Sequence, residues 1–175
     1  RIDPLIGSQI TIDPSVNNSW WIDGIDVAYN TVDNEWLVVW NEEDPAGDPQ
    51  FETEYDVLGQ RVSASGALLG GQLLIGYEWG PDEKMCAVSY AATDNRYLVA
   101  WSHDPSDDTT TDDWGIKGRV LYGDGSFFDI AFDMDLLSGQ EDYPDVAFDG
   151  TNWYMVRTRY YASDDTDITG AFFNT

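Results

Sequence analysis

The sequence predicts an all-β protein of stacked four-stranded antiparallel units. Three observations carry the prediction: one segment recurs three times, turn residues fall at matching points of each copy, and β-rich runs are bounded by Asn, Asp and Gly. The recurring segment is Val27-Ala28-Tyr29 through Trp36-Leu37-Val38-Val39-Trp40. It returns as Val88-Ser89-Tyr90 through Tyr97-Leu98-Val99-Ala100-Trp101, and again as Val146-Ala147-Phe148 through Tyr154-Met155-Val156. Self-similarity at this period means stacked repeats rather than one irregular globule.

In chain order, residues 5–12 (Leu-Ile-Gly-Ser-Gln-Ile-Thr-Ile) match Leu68 to Ile75 and read as the fourth strand of a unit with nothing before it. The first whole unit follows, with strands near 26–30, 35–41, 55–63 and 71–76. Asp33-Asn34 turns its first pair and Ser65-Gly66 its last, where tight reversals join antiparallel neighbours. The second unit repeats this with Asp94-Asn95 and Asp124-Gly125, while Gly59 and Gly118 occupy matching points of the third strands. The last unit departs from the pattern. Its first turn is one residue shorter, Thr158 stands where Trp40 and Trp101 stand, and Asp167 to Gly170 match Asp56 to Gly59 with no fourth strand after them.

A unit divided between two chain ends is the usual closure of a β-propeller, because pairing the first and last segments leaves no open edge. The prediction is therefore one repeat domain, 1–175, with three blades. They span 24–76, 86–134 and 143–175, the last completed by residues 4–12 of the same or a partner chain. Three blades fall short of the roughly four to eight that surround a channel. A homodimer forming a six-bladed ring is favoured over a piece of a longer repeat protein.

With 42% hydrophobic and 14% aromatic residues the chain can bury a core. Its formal charge of −25 disfavours nucleic acid and anionic membranes as partners, and leaves cationic partners or metal ions. Of the 33 acidic residues 25 are Asp, which places much of the charge on turns and loops. Cys86 is the only cysteine, so it excludes an intrachain disulfide and a cysteine metal cluster and reads as a buried thiol. No run of the sequence is long and apolar enough for a membrane span, and Arg1 opens no signal-peptide pattern.

The stretches Val27 to Asn30, Trp36 to Trp40, Asp56 to Val62 and Gly66 to Gly70 resemble a family of secreted bacterial β-propeller repeats over nearly the whole chain. That resemblance implies a propeller fold and an extracellular or cell-surface location. It brings no shared catalytic residues.

Loops from second to third strands and loops between blades emerge on one face of such a ring. The former carry Glu42, Glu43, Asp44 and Asp48, then Asp104, Asp107, Asp108, Asp112 and Asp113, then Asp164 and Asp165. Hard cations take six to eight oxygens from loops of this kind, so Ca2+ is the one cofactor this chemistry suggests. Asp44, Asp48, Asp104, Asp107, Asp108, Asp112, Asp164 and Asp165 are the candidate ligands, against the plainer reading of a solvated acidic surface. An EF-hand beginning at Asp165 is rejected, since the chain offers no carboxylate at the twelfth position.

Loops between blades bring Trp20, Trp21, Tyr77, Trp79 and Tyr143 to the same face. Flat rings with a polar edge suit carbohydrate, or else pack between blades. No carboxylate stands out by apolar context as a catalytic acid, and His103, the single histidine, lies among acids. The reading drawn from these residues is a non-enzymatic extracellular binding or scaffold module for a carbohydrate or protein ligand. A propeller-type glycoside-processing enzyme and a purely structural surface repeat are its alternatives.

Overall fold

The computed structural model describes residues 9–13, 22–43, 55–77, 82–105, 113–134, 139–162 and 165–174. Sheet 1 is an antiparallel meander of β1 (Ile22–Asn30), β2 (Glu35–Glu43), β3 (Tyr55–Ser63) and β4 (Leu68–Gly76). Sheet 2 repeats it with β5 (Asp82–Ala91), β6 (Arg96–Asp104), β7 (Gly115–Tyr122) and the short β8 (Phe132–Asp133). Sheet 3 has three strands, β9 (Gln140–Phe148), β10 (Asn152–Ala162) and β11 (Asp165–Asn174), with β10 in the middle.

The middle sheet buries both faces of its second strand, β6, because its side chains alternate between two neighbouring sheets. From sheet 1, Leu37, Val39, Val57 and Ile75 meet Val88, Tyr97, Val99 and Trp101 of sheet 2 in one cluster. The alternate residues of sheet 2, Leu98, Ala100, Ile116 and Met134, meet Val146, Trp153 and Met155 of sheet 3 in a second. Each such large side chain, fully buried, contributes roughly 1.5–3 kcal/mol. Gly59 and Gly118 serve this packing: a Cβ on either would stand 2.7 Å from Ile75 Cδ1 or 2.3 Å from Met134 Sδ, so the absent side chain admits the fourth strand's residue.

The innermost strands β1, β5 and β9 share a bulge. Gly24, Met85 and Tyr143 adopt φ of 53°, 53° and 54°, and in each strand the ladder slips beside them. At the first of these the backbones of β1 and β5 nearly touch, since a Cβ on Gly24 would lie 3.0 Å from both Cys86 N and Met85 Cα. Asn41 locks this contact by donating to Glu83 O at 2.8 Å and accepting from Cys86 N at 2.9 Å. Ser102 plays the corresponding part at the next junction, accepting from Tyr143 N at 3.1 Å and donating to Asp142. At the opposite end of the sheets, Asn95 accepts from Asn30 Nδ2 at 3.1 Å and donates to Asp33 Oδ2 at 3.0 Å, clasping the first turns of sheets 1 and 2.

Two sequence expectations need correction. In sheet 3 it is Trp153, not Tyr154, that faces Phe148, as Trp36 faces Tyr29 and Tyr97 faces Tyr90. The first turn is therefore two residues shorter than its counterparts, and Arg157 rather than Thr158 takes the place of Trp40 and Trp101. The shorter turn shifted the apparent match by one position, which in a strand moves a side chain to the other face.

Completion of sheet 3 by the N-terminal segment of the same chain is the second correction. Among the described residues nothing pairs with the free edge of β11. Residues 9–13 lie instead on sheet 1, with Ile10 Cγ2 3.6 Å from where a Cβ on Gly66 would stand and with Ile12 and Asp13 in an apolar recess shared with Ile22, Ile25, Val38 and Trp40. Cys86 is buried, as expected, with its thiol donating to Gly24 O at 2.8 Å. Among the described residues no helix is long and apolar enough to cross a membrane.

Candidate functional site

The meander places the starts of β1, β5 and β9, the ends of β2, β6 and β10 and the starts of β3, β7 and β11 at one end of the three sheets. That end collects Glu42, Glu43, Asp56, Asp82, Glu83, Asp104, Glu141, Asp142 and Asp165, together with Lys84, His103 and Arg159. The convergence of loops on one face therefore follows from the observed topology.

Two groups within it are built from adjacent innermost strands. On β5, Lys84 Nζ donates to Asp82 Oδ2 at 2.5 Å and lies 4.5 Å from the Tyr55 ring centre and 5.6 Å from that of Trp114. Asp82 also accepts from Tyr55 N at 3.2 Å. An ammonium between two aromatic faces is held by their quadrupoles as well as by the carboxylate. On β9, Asp142 receives the Ser102 hydroxyl and Tyr143 N, the latter at 2.8 Å. Burial, with Asp142 and Tyr143 beside it, pushes the Tyr160 phenol up. Ser102 is the Cα partner of Lys84 in the ladder, so the two groups are joined through one residue.

Behind them sit two buried polar pairs. Glu83 lies 3.6 Å from His103 Nδ1, and Arg157 donates to Glu141 Oε1 at 2.9 Å. Glu141 N donates to Trp114 O at 2.7 Å, which ties β9 to the segment that carries the ring over Lys84. Carboxylates so enclosed need such partners, because an unpaired buried charge is costly. Trp40 Nε1 likewise donates to Glu42 at 3.0 Å.

Of the residues expected to bind a ligand, Tyr77 and Tyr143 are described and both rings are exposed. Tyr143 sits at the bulge next to Asp142. Trp20, Trp21 and Trp79 lie outside the described residues. Of the expected calcium ligands, Asp104 ends β6 with its side chain buried and Asp165 opens β11 exposed. Asp44, Asp48, Asp107, Asp108, Asp112 and Asp164 lie outside the described residues. Among the described residues no three His, Cys, Asp or Glu side chains gather as a metal holder. Sequence reasoning missed Asp82, Lys84, Asp142 and the pairs behind them. The signal available was charge placed inside otherwise apolar strand starts, Asp82-Glu83-Lys84 and Glu141-Asp142.

No protein-family model and no curated protein matches this chain. Solved structures do. A thermostable family-43 glycoside hydrolase superposes with a TM-score of 0.61 at 12% identity, over 86% of this chain and 54% of its own. An alpha-L-arabinofuranosidase from Lactobacillus brevis gives 0.56 at 12%, over 86% of this chain and 52% of its own. The chain thus spans about half the length of the structures it matches, which are five-bladed propellers. The fold is of β-propeller type, and its sheets are propeller blades. The expectation of a non-enzymatic binding or scaffold module is overturned here: the matched structures are glycoside hydrolases, which favours the glycoside-processing alternative. Sequence reasoning discounted that alternative because no acid stood out in one dimension; the fold brings Asp82 and Asp142 to the starts of neighbouring innermost strands.

Proposed function

We propose that this chain supplies part of the active site of a propeller-type glycoside hydrolase, and that the sugar sits at the acidic end of the channel across β5 and β9. One observation carries the reading: Asp82 and Asp142, on adjacent innermost strands, are both fixed by hydrogen bonds beside aromatic rings. Cleaving a glycosidic bond takes two carboxylates on either side of it, roughly 5–10 Å apart. One protonates the leaving oxygen, and the other attacks the anomeric carbon or activates water there. Tyr55, Trp114 and Tyr143 offer flat apolar faces to a sugar ring. Lys84 and Ser102 act as positioning residues, each holding a carboxylate. The likeness in fold to an arabinofuranosidase makes aryl α-L-arabinofuranosides the first substrates to try.

The test is release of the aryl group by the full chain and by Asp82→Asn and Asp142→Asn. Each substitution is expected to lower kcat/KM by about 100-fold or more, the scale of lost acid–base catalysis, with the melting temperature kept. A folded protein that cleaves no glycoside across a panel of furanosides and pyranosides, or one whose turnover survives both substitutions, refutes the assignment.

A further inference from the structure

The repeat makes it possible to ask what each uncovered surface corresponds to in the blades that are covered. On blade 2 the side facing blade 1 presents Cys86, Val88, Tyr97, Val99 and Trp101, all buried. The same positions of blade 1 are Ile25, Val27, Trp36, Val38 and Trp40, by the ladders that align Tyr29 with Trp36 and Tyr90 with Tyr97. There Ile25 is 70% and Val27 50% exposed. On the far side of the molecule, Ile168 of blade 3 holds the position of Ile116 and Val57, which are fully buried, and is 81% exposed. Phe172 and Tyr154 lie exposed on the same sheet. One open surface is therefore of the kind that receives a preceding blade, and the other of the kind that receives a following one.

Residues 9–13 fix what belongs between them. Leu73 of the fourth strand of blade 1 lies 3.2 Å from the Cβ position of Gly125 in blade 2, and the next residues, Ile75 and Gly76, meet Trp101. By the sequence match, Ile10 corresponds to Leu73 and Ile12 to Ile75. Ile10 lies beside Gly66, the counterpart of Gly125, and Ile12 shares a recess with Trp40, the counterpart of Trp101. The segment thus occupies the seat of the outermost strand of a blade in front of blade 1, while among the described residues no strand pairs with the outer edge of β11.

We propose that a second copy of this chain docks here, its β9–β10–β11 sheet against the open side of blade 1, with β11 pairing to residues 9–13 of the first. Each copy completes the third blade of the other, and two such contacts close a ring of six blades. Head-to-tail contacts that return on themselves give closed rings, and six lies within the range propellers use. The exposed apolar surfaces and the bare edge, both liabilities in a monomer, are buried together.

By the register of β3 with β4, where Leu58 faces Leu74, the new ladder sets Thr169 opposite Thr11 of the other copy. The experiment is sedimentation of the full chain, with disulfide trapping in a Thr11→Cys, Thr169→Cys protein. Twice the mass of the 19.6 kDa chain is expected, with a covalent dimer on a non-reducing gel. Ile168→Asp, at a site already in water, is expected to leave the fold intact by circular dichroism and abolish both dimer and crosslink. A monomeric native chain overturns the proposal and gives the open surfaces to further blades of a longer polypeptide. A crosslink closed within one chain or a ladder of higher oligomers overturns it equally.

Discussion

Arg157 stands where two tryptophans stand in the other blades, and its guanidinium lies against the fully buried Glu141. Such a pair is poor evidence of stability, since desolvation offsets much of the attraction, yet breaking it is expensive. Arg157→Ala is expected to cost about 3–5 kcal/mol because Glu141 is left charged and enclosed. Glu141→Leu with Arg157→Met should recover most of that, as an apolar pair fills the space without desolvating ions. Urea unfolding of the two proteins decides, and a small loss in the single variant would show that Glu141 finds another partner. The blade that departs from the repeat does so by trading an indole for an ion pair beside the candidate site, while the backbone of the same Glu141 donates to Trp114 O.

Among elements, the shared bulge of the innermost strands governs how closely blades approach. Its left-handed residue is Gly24 in β1 but Met85 in β5 and Tyr143 in β9. At Gly24 the Asn41 side chain and the backbone of β5 occupy the place of a Cβ. Gly24→Ala meets both an unfavourable φ and backbone contacts, so a loss of roughly 2 kcal/mol or more is expected in thermal or urea unfolding. An unchanged melting temperature would mean that β1 and β5 separate freely.

The bulge was not legible in the sequence, because nothing in Asp-Gly-Ile, Lys-Met-Cys and Asp-Tyr-Pro looks alike until the ladders align them. The strands were legible, since turn pairs such as Asp33-Asn34 and Asp124-Gly125 punctuate runs of alternating side chains. β10, matched one residue out of register, follows the one first turn of a unit that lacks the Asp-Asn pair. The candidate site was half legible: the acidic end followed from the meander, but Asp82 and Asp142 emerged only when β5 and β9 became neighbours.

For the whole molecule, a formal charge of −25 on 175 residues acts against both compaction and association. Salt screens that repulsion, with a Debye length of about 30 Å at 0.01 M falling to about 10 Å at 0.1 M. Melting temperature and the dimer fraction are therefore both expected to rise with sodium chloride over that range, followed by scanning calorimetry and sedimentation. A melting temperature that falls would assign the charge a stabilising role through local pairs instead.

The clasp between the first turns of blades 1 and 2 rests on a side-chain amide, with Asn95 Nδ2 donating a hydrogen bond to the Asp33 carboxylate while its oxygen accepts from Asn30. Asparagine is chemically impermanent. Deamidation of Asn95 would remove the donor and set a second carboxylate against Asp33, turning a join into a repulsion at the seam between two repeats.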